Sequence, residues 1–383
     1  KLYNNVILSF SFDCGPDSLI DKNIDKKYYF CGSISHCGKV EYFPIASPGG
    51  YWLYLSDYFD IPEGTLMALA YATKARSLEK FYPLSNYYKA SDRVKFIQEI
   101  KYIIERIMSY TPSDEGVLYV TENETKFSDL EIKISMIVKI IQELSIDNVC
   151  KQIDQILSKK ALIPSDIMIS LSGGYALNCP TNTHIMNRYG FKEQFCAPCI
   201  NDSGLSLGMG LYFFYKNCDF FKFCLHDAYY GYNDKKNILN TLKNFKHFIA
   251  EISQSTMQIA EDIRTAPIVW IDGNAEIGPR ALGHRSILAD PSNILHKNLL
   301  NKYKQREWWR PVAPIVMEEY ISDWFINAFS SPYMLNNFDV NCFVSEQISG
   351  VLHLDGTARV QTVNRTDDIN LWRVISDFFQ LTG

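Results

Sequence analysis

The chain has 383 residues, of which 47% are hydrophobic and 21% charged, enough apolar material for two or three ordinary cores. A net charge of −5 disfavours nucleic acid or an anionic membrane as partner, so any anion site must be local. No apolar run reaches the roughly 18–20 residues of a membrane span, and no leader segment is visible.

In chain order, residues 5–13 (NVILSFSFD) predict a strand, and Cys14-Gly15-Pro16-Asp17 a turn. Residues 28–31 and 40–45 add two strands of an antiparallel meander, which Pro48-Gly49-Gly50 breaks. Residues 52–59 and 65–75 read as helices. Residues 77–127 read as a polar, aromatic excursion with one helix over 93–109. Residues 128–159 read as an amphipathic stretch of two helices. A strand over 167–171 runs directly into Ser172-Gly173-Gly174, with a helix starting near Tyr175. A strand over 195–197, a turn at Asn201-Asp202-Ser203-Gly204 and a helix over 205–215 follow. Residues 216–264 read as a connection with a turn at 229–232. Strands are expected over 267–271, 314–317, 350–353 and 359–363, and a closing helix over 371–380. The chain opens on Lys1 rather than Met and stops at Gly383 just past that helix, so both ends are expected to be incomplete.

The ten cysteines are scattered, and only Cys196-Ala-Pro-Cys199 has paired spacing, with no second pair to complete a zinc site. Free buried thiols in a cytoplasmic protein are the expectation.

Residues 276–314 (EIGPRALGHRSILADPSNILHKNLLNKYKQREWWRPVAP) carry Arg280, Arg285, Lys304, Arg306 and Arg310 among turn-forming and aromatic residues. A guanidinium fork pairs bidentately with phosphate or carboxylate, and Lys adds a point charge. One reading is a solvated basic face. The other is a pocket for a small, highly charged anion. Gly278, Pro279 and Gly283 constrain the backbone around Arg280, and Trp308, Trp309 and Pro311 flank Arg310, which a plain surface would not require. Three further groups read either structurally or functionally. Gly173-Gly174 at a strand-to-helix corner suits close backbone approach by an anion, or merely a tight turn. Asp202 before a helix suits an N-cap or a ligand. Residues 353–363 (HLDGTARVQTV) read as a turn between strands.

The 276–314 segment resembles the signature of the nodulation-type O-carbamoyltransferases. Residues 171–178 (LSGGYALN), the Asp202-Ser203-Gly204 turn, Ser331-Pro332-Tyr333-Met334 and residues 353–363 also match that family. The match departs at Cys14, where the family has glycine, and at Thr65, where it has lysine. The resemblance implies an α/β protein. Residues 1–217 would form an actin-like ATPase (ASKHA, threonylcarbamoyltransferase-like) domain, 218–264 a connection and 265–383 a YrdC-like α/β domain. It implies ATP at Asp13, Gly15, Gly173, Gly174 and Asn178. It implies carbamoyl phosphate at Arg280, Lys304, Arg310 and Arg359, with Arg285 and Arg306 second as positioning groups. It implies a divalent metal, Fe or Mg, at Asp202, with a histidine pair that the family places upstream and this chain lacks.

The activity so implied is ATP-dependent conversion of carbamoyl phosphate to carbamoyl-adenylate. The carbamoyl group would then pass to a hydroxyl of a small-molecule or sugar-containing acceptor, in natural-product biosynthesis. No membrane or nucleic-acid partner is expected, and a homodimer is left open. The alternatives are a threonylcarbamoyl-type transferase acting on tRNA, against which the acidic balance argues, and a non-catalytic nucleotide-binding homologue.

Overall fold

The computed structural model describes residues 3–15, 30–111, 114, 117–118, 126–218, 221–233, 235–248 and 255–383. The chain forms two compact units. The first holds residues 1–196, 200–202 and 353–355; the second holds 197–199, 203–352 and 356–383. The helix expected over 205–215 therefore groups with the second unit, whereas the resemblance placed it at the end of the first domain.

The first unit is organised by strands β1 (Ile7–Ser11), β2 (Phe30–His36) and β3 (Lys39–Ile45). Helices α1 (Gly49–Phe59) and α2 (Glu63–Leu69) follow. A two-residue pairing joins β4 (Arg76–Ser77) to β5 (Val117–Leu118), on either side of α3 (Arg93–Met108). Helix α4 (Asp129–Lys160), β6 (Met168–Ser172), α5 (Cys179–Tyr189) and β7 (Glu193–Phe195) complete the unit. The sheet order is β3-β2-β1-β6-β7. β1 is antiparallel to β2 and parallel to β6, so the ends of β1 and β6 leave the sheet side by side.

β1 alternates, with Leu8 and Phe10 buried, and Phe10 stacks on buried Phe12 at 5.3 Å. Each such side chain contributes about 1.5–3 kcal/mol on burial. α4 is one helix of 32 residues, not the expected two. No Gly or Pro interrupts 129–160. The Ser128–Glu131 capping box satisfies its first turn, and its middle is buried on nearly every side.

The second unit contains α6 (Leu205–Asn217), α7 (Lys235–Asn244) and α8 (Thr256–Thr265). Strands β8 (Ile268–Ile271) and β9 (Arg285–Leu288) pair antiparallel, followed by α9 (Ile294–Tyr303), β10 (Ile315–Met317) and α10 (Ile321–Trp324). β11 (Asn336–Asp339), β12 (Thr357–Val363) and α11 (Ile369–Thr382) close the chain. β12 is central, parallel to β10 and antiparallel to β11.

Several expectations shift. The 216–264 connection contains α7 and α8, and β9 and β11 were not anticipated. Residues 350–353 are not a strand: a 3₁₀ segment runs to Val351, and Gly350 lies against the 291–293 turn, where a Cβ would come within 2.7 Å of the Pro291 oxygen. Helix formation after Gly173 begins as a 3₁₀ turn, and α5 proper starts at Cys179. All ten cysteines are free, but only Cys150, Cys179 and Cys199 are buried. Among the described residues no helix is long and apolar enough to cross a membrane.

Candidate functional site

Two corners gather the residues singled out above, one within each unit. In the first unit, the chain leaves β1 through Phe12-Asp13 and leaves β6 through Ser172-Gly173. Phe12 N–H donates to the Ser172 oxygen at 2.7 Å, and Tyr175 N–H donates to the Phe12 oxygen at 3.1 Å. Gly173 has φ +90°, and a Cβ there would lie 2.0 Å from the Phe12 oxygen. Only glycine fits this crossing. Gly174 is also close, since its Cβ would meet Asp13 Oδ1 at 3.6 Å. Gly15 is exposed, with open space around it.

Asn178 supports the corner from behind. It is 1% exposed, and its carboxamide pairs reciprocally with Gln142, at 3.1 and 2.7 Å, while accepting from Thr181 N–H at the start of α5. Its side chain is committed to bracing.

Asp13 is half-buried, and burial, with a smaller push from Asp202, holds its carboxyl above the ordinary range. Cys14 is pushed up to about 12 by burial and by the negative charges of Asp13, Glu63 and Asp202. Three carboxylates thus act on one point. Oxygen donors of this kind suit a hard divalent cation. They are not gathered tightly enough to make a ready three-ligand set.

In the second unit, β8 and β9 are joined by the loop 272–284. Gly278 has φ +104°, with a would-be Cβ 2.2 Å from the Pro198 oxygen, and Gly283 has φ +108° against Leu371. Glu276, which sequence reasoning missed, ties the loop together: its Oε1 accepts from the N–H groups of Leu282, His284 and Arg285 at 2.8, 2.8 and 3.0 Å. Burial works to raise its pKa, but these backbone donors outweigh burial and hold it below the ordinary range. The available signal was an acid two residues before Gly278-Pro279-Arg280.

The five cations of this stretch divide by geometry. Arg285 donates to four backbone oxygens, those of Asp272 (2.6 Å), His284 (2.8 Å), Gly273 (3.2 Å) and Tyr232 (3.4 Å). Arg306 Nη2 donates to Asn301 Oδ1 at 2.7 Å and the Pro311 oxygen at 3.4 Å. Both lock loops. Arg280 Nε is buried with no hydrogen-bond partner among the described residues, and so is Arg306 Nε, although Arg306 is held through its Nη2.

Arg310 lies 5.9 Å from the Trp309 ring centre and 3.9 Å from Glu307, and its side chain is 21% exposed. Burial lowers its pKa, with Glu307 opposing and Arg280 adding to the fall. Lys304 is exposed as a residue, yet its ammonium is held below the ordinary range by local burial and by Arg306 and Arg359. Arg359 joins from β12. Ala358 and Val360 face the core, so Arg359 shares the opposite face with Gln361, whose Nε2 donates to the Leu282 oxygen at 2.7 Å. Like charges depress one another here, and an anion bound among them would relieve that repulsion.

Volume points elsewhere. An apolar cavity of about 750 Å³ lies in the second unit, lined by residues including Leu288, Leu300, Val316 and Val374, and none of Arg280, Lys304, Arg310 or Arg359 lines it.

Residues 260–383 match the family model described as "Carbamoyltransferase C-terminus", which covers the whole cationic corner. The chain is 33% identical over 215 residues to Nodulation protein U of Azorhizobium caulinodans, covering 56% of this chain and 37% of that protein. It is 32% identical over 221 residues to the 3'-hydroxymethylcephem-O-carbamoyltransferase of Amycolatopsis lactamdurans, covering 58% and 41%. It is 34% identical over 227 residues to Nodulation protein NolNO of Sinorhizobium fredii, covering 56% and 33%. The chain thus spans about two fifths or less of the length of these curated relatives. It is related to the nodulation-type carbamoyltransferases.

Proposed function

We propose that this carbamoyltransferase relative catalyses ATP-dependent O-carbamoyl transfer from carbamoyl phosphate to a hydroxyl-bearing small molecule. The observation that carries the reading is the cluster of Arg280, Lys304, Arg310 and Arg359 in a region matched to the carbamoyltransferase C-terminus. Arg280 brings a buried donor in need of an acceptor, and a phosphate supplies acceptor oxygens and two negative charges. Water would hydrolyse carbamoyl phosphate at this corner, releasing inorganic phosphate and a proton and leaving carbamate, a poor acyl donor. The carbamate oxygen would attack the α-phosphorus of ATP, forming carbamoyl-adenylate and releasing pyrophosphate. The acceptor oxygen would then attack the carbamoyl carbon, giving up its proton as AMP leaves.

The first unit fits the ATP end. Gly173 and Gly174 let the nucleotide approach the backbone, and Asp13 and Asp202 offer carboxylates beside it. A divalent cation on these carboxylates would screen the phosphates and polarise the carbonyl, and the all-oxygen donor set favours Mg²⁺. The sheet order β3-β2-β1-β6-β7, with an antiparallel meander beside two parallel strands, supports the actin-like reading of this unit. The YrdC-like reading of the second unit rests on the resemblance.

Pyrophosphate release from ATP by the full chain, with and without carbamoyl phosphate and without acceptor, tests the proposal. Release that requires carbamoyl phosphate is expected. ATP that binds but is never cleaved would favour a nucleotide-binding homologue without catalysis.

A further inference from the structure

Asp272, His284 and Asp368 converge in the second unit, with one ligand atom from each lying within 4.8 Å of the others. They come from the end of β8, the start of β9 and the N-cap of α11. His284 and Asp368 are buried, at 8% and 6% exposure. We propose that they form a divalent transition-metal site, distinct from the acidic corner of the first unit.

Proton placement carries the inference. His284 Nδ1 lies 2.7 Å from the Asn274 backbone oxygen, which can only accept, so Nδ1 holds the hydrogen. In the neutral ring, Nε2 then presents a lone pair. It faces Asp368 Oδ2 at 3.3 Å, an ion-pair distance, yet that oxygen is buried and has no hydrogen-bond partner among the described residues. The other oxygen of Asp368 is occupied as the cap of α11, accepting from Leu371 N–H at 3.0 Å. Asp272 Oδ1 accepts from Gly273 N–H, and Oδ2 from Asn370 Nδ2 at 2.8 Å. No Lys or Arg side chain pairs with either carboxylate among the described residues. With the ring neutral, two carboxylates and a lone pair share one space; a protonated ring would instead pair with Asp368 through Nε2–H, and a bound cation would take the place of that proton.

The surroundings match what a metal-binding imidazole needs. An Nδ1–H bonded to a backbone carbonyl fixes the ring so that Nε2 points at the metal. Tyr229 stacks flat on the ring at 3.4 Å and an angle of 10°, and Gly273 lies close to the ring, where a Cβ would come within 2.9 Å of Cε1. Tyr229 covers one ring face, Gly273 approaches the ring at Cε1 and nearer Nδ1 than Nε2, and Nε2 faces Asp368 Oδ2. One imidazole and two carboxylates suit Zn²⁺ or Mn²⁺ better than Ca²⁺ or Mg²⁺. Ligand distances near ~2.1 Å call for tighter spacing than the present one, so binding would require Asp272 to give up its bond from Asn370 and turn toward His284.

Its place in the fold suggests what it does. Asp272 and His284 are the two ends of the loop that carries Glu276 and Arg280, and Arg285 donates to the backbone oxygens of both. The metal would clamp that loop at its base and tie it to α11. The site does not depend on the carbamoyl-transfer reading.

The test is Co²⁺ and Zn²⁺ titration of the chelator-stripped full chain, wild type against His284→Gln, Asp368→Asn and Asp202→Asn. One equivalent is expected to be lost in the first two variants and kept in Asp202→Asn. The Co²⁺ spectrum should lack thiolate charge transfer, which separates this site from the ten cysteines. Wild-type protein that binds no such equivalent, or full stoichiometry in both His284→Gln and Asp368→Asn, overturns the proposal. Should either variant fold poorly, the ¹⁵N-histidine spectrum of wild type decides: Zn²⁺ must shift the Nε2 signal of a ring whose Nδ1 stays protonated, and an unchanged spectrum overturns it.

Discussion

The two corners use the same backbone device for opposite charges. Each turns on glycines at positive φ pressed against a neighbouring carbonyl, Gly173 in the first unit and Gly278 in the second. Around Gly173 stand Asp13 and Asp202; around Gly278 stand Arg280 and Arg310. The acidic corner can hold a phosphate only through a cation or through backbone N–H groups. The cationic corner can hold one directly. A shared shape with opposite electrostatics means that local geometry says where a ligand sits, and charge says which.

The largest effect should come from removing that geometry. Gly173→Ala places a methyl 2.0 Å from the Phe12 oxygen in a backbone conformation that disfavours alanine. A stability loss of about 3 kcal/mol or more is expected, together with loss of ATP binding. Chemical denaturation and calorimetric titration measure both, and near-wild-type stability would refute the crossing as drawn.

Arg310→Ala should separate the corners. Losing a charge-assisted contact worth about 1.5–3 kcal/mol predicts roughly tenfold to a hundredfold weaker carbamoyl-phosphate binding, with ATP affinity unchanged. Equal loss of both ligands would sink the two-site assignment.

The smallest effect concerns Glu276. Its pKa is lower folded than the ordinary 4.5, so its carboxylate stabilises the fold above that value, and the contribution is lost as pH falls through the lower, folded pKa. Glu276→Gln should therefore flatten the acid limb of the stability curve below about pH 4.5 and cost less at low pH than at pH 7. Parallel acid-denaturation curves for the two proteins would remove Glu276 from its role as the loop's anchor.

Much of the chemistry was legible without coordinates, because it resides in short contiguous motifs. Gly278-Pro279-Arg280 and Ser172-Gly173-Gly174 bring their backbone constraint and functional groups together within a few residues, and local sterics act at that range. The single helix α4 was misread as two although nothing in its sequence breaks it. Its length is held by burial of its middle, from Ile132 to Ile153, against the rest of the unit, which local pattern does not record. β11 (NNFD) escaped because a four-residue polar strand is held by pairing with β12 rather than by its own propensity.

What the sequence determined by itself is the inventory: a glycine corner among carboxylates, a run of cations among glycines and tryptophans, and a likeness to carbamoyltransferases. What only the tertiary structure decided is which of those groups are committed. Arg285 is occupied by backbone carbonyls, Arg306 Nη2 by the Asn301 side chain and Asn178 by Gln142, while Arg280 keeps a buried Nε without a hydrogen-bond partner among the described residues. Asp272, His284 and Asp368 span nearly a hundred residues and meet only once β8, β9 and α11 have packed. Hydrogen-bond satisfaction and burial depend on partners distant in the chain, and no local pattern encodes them.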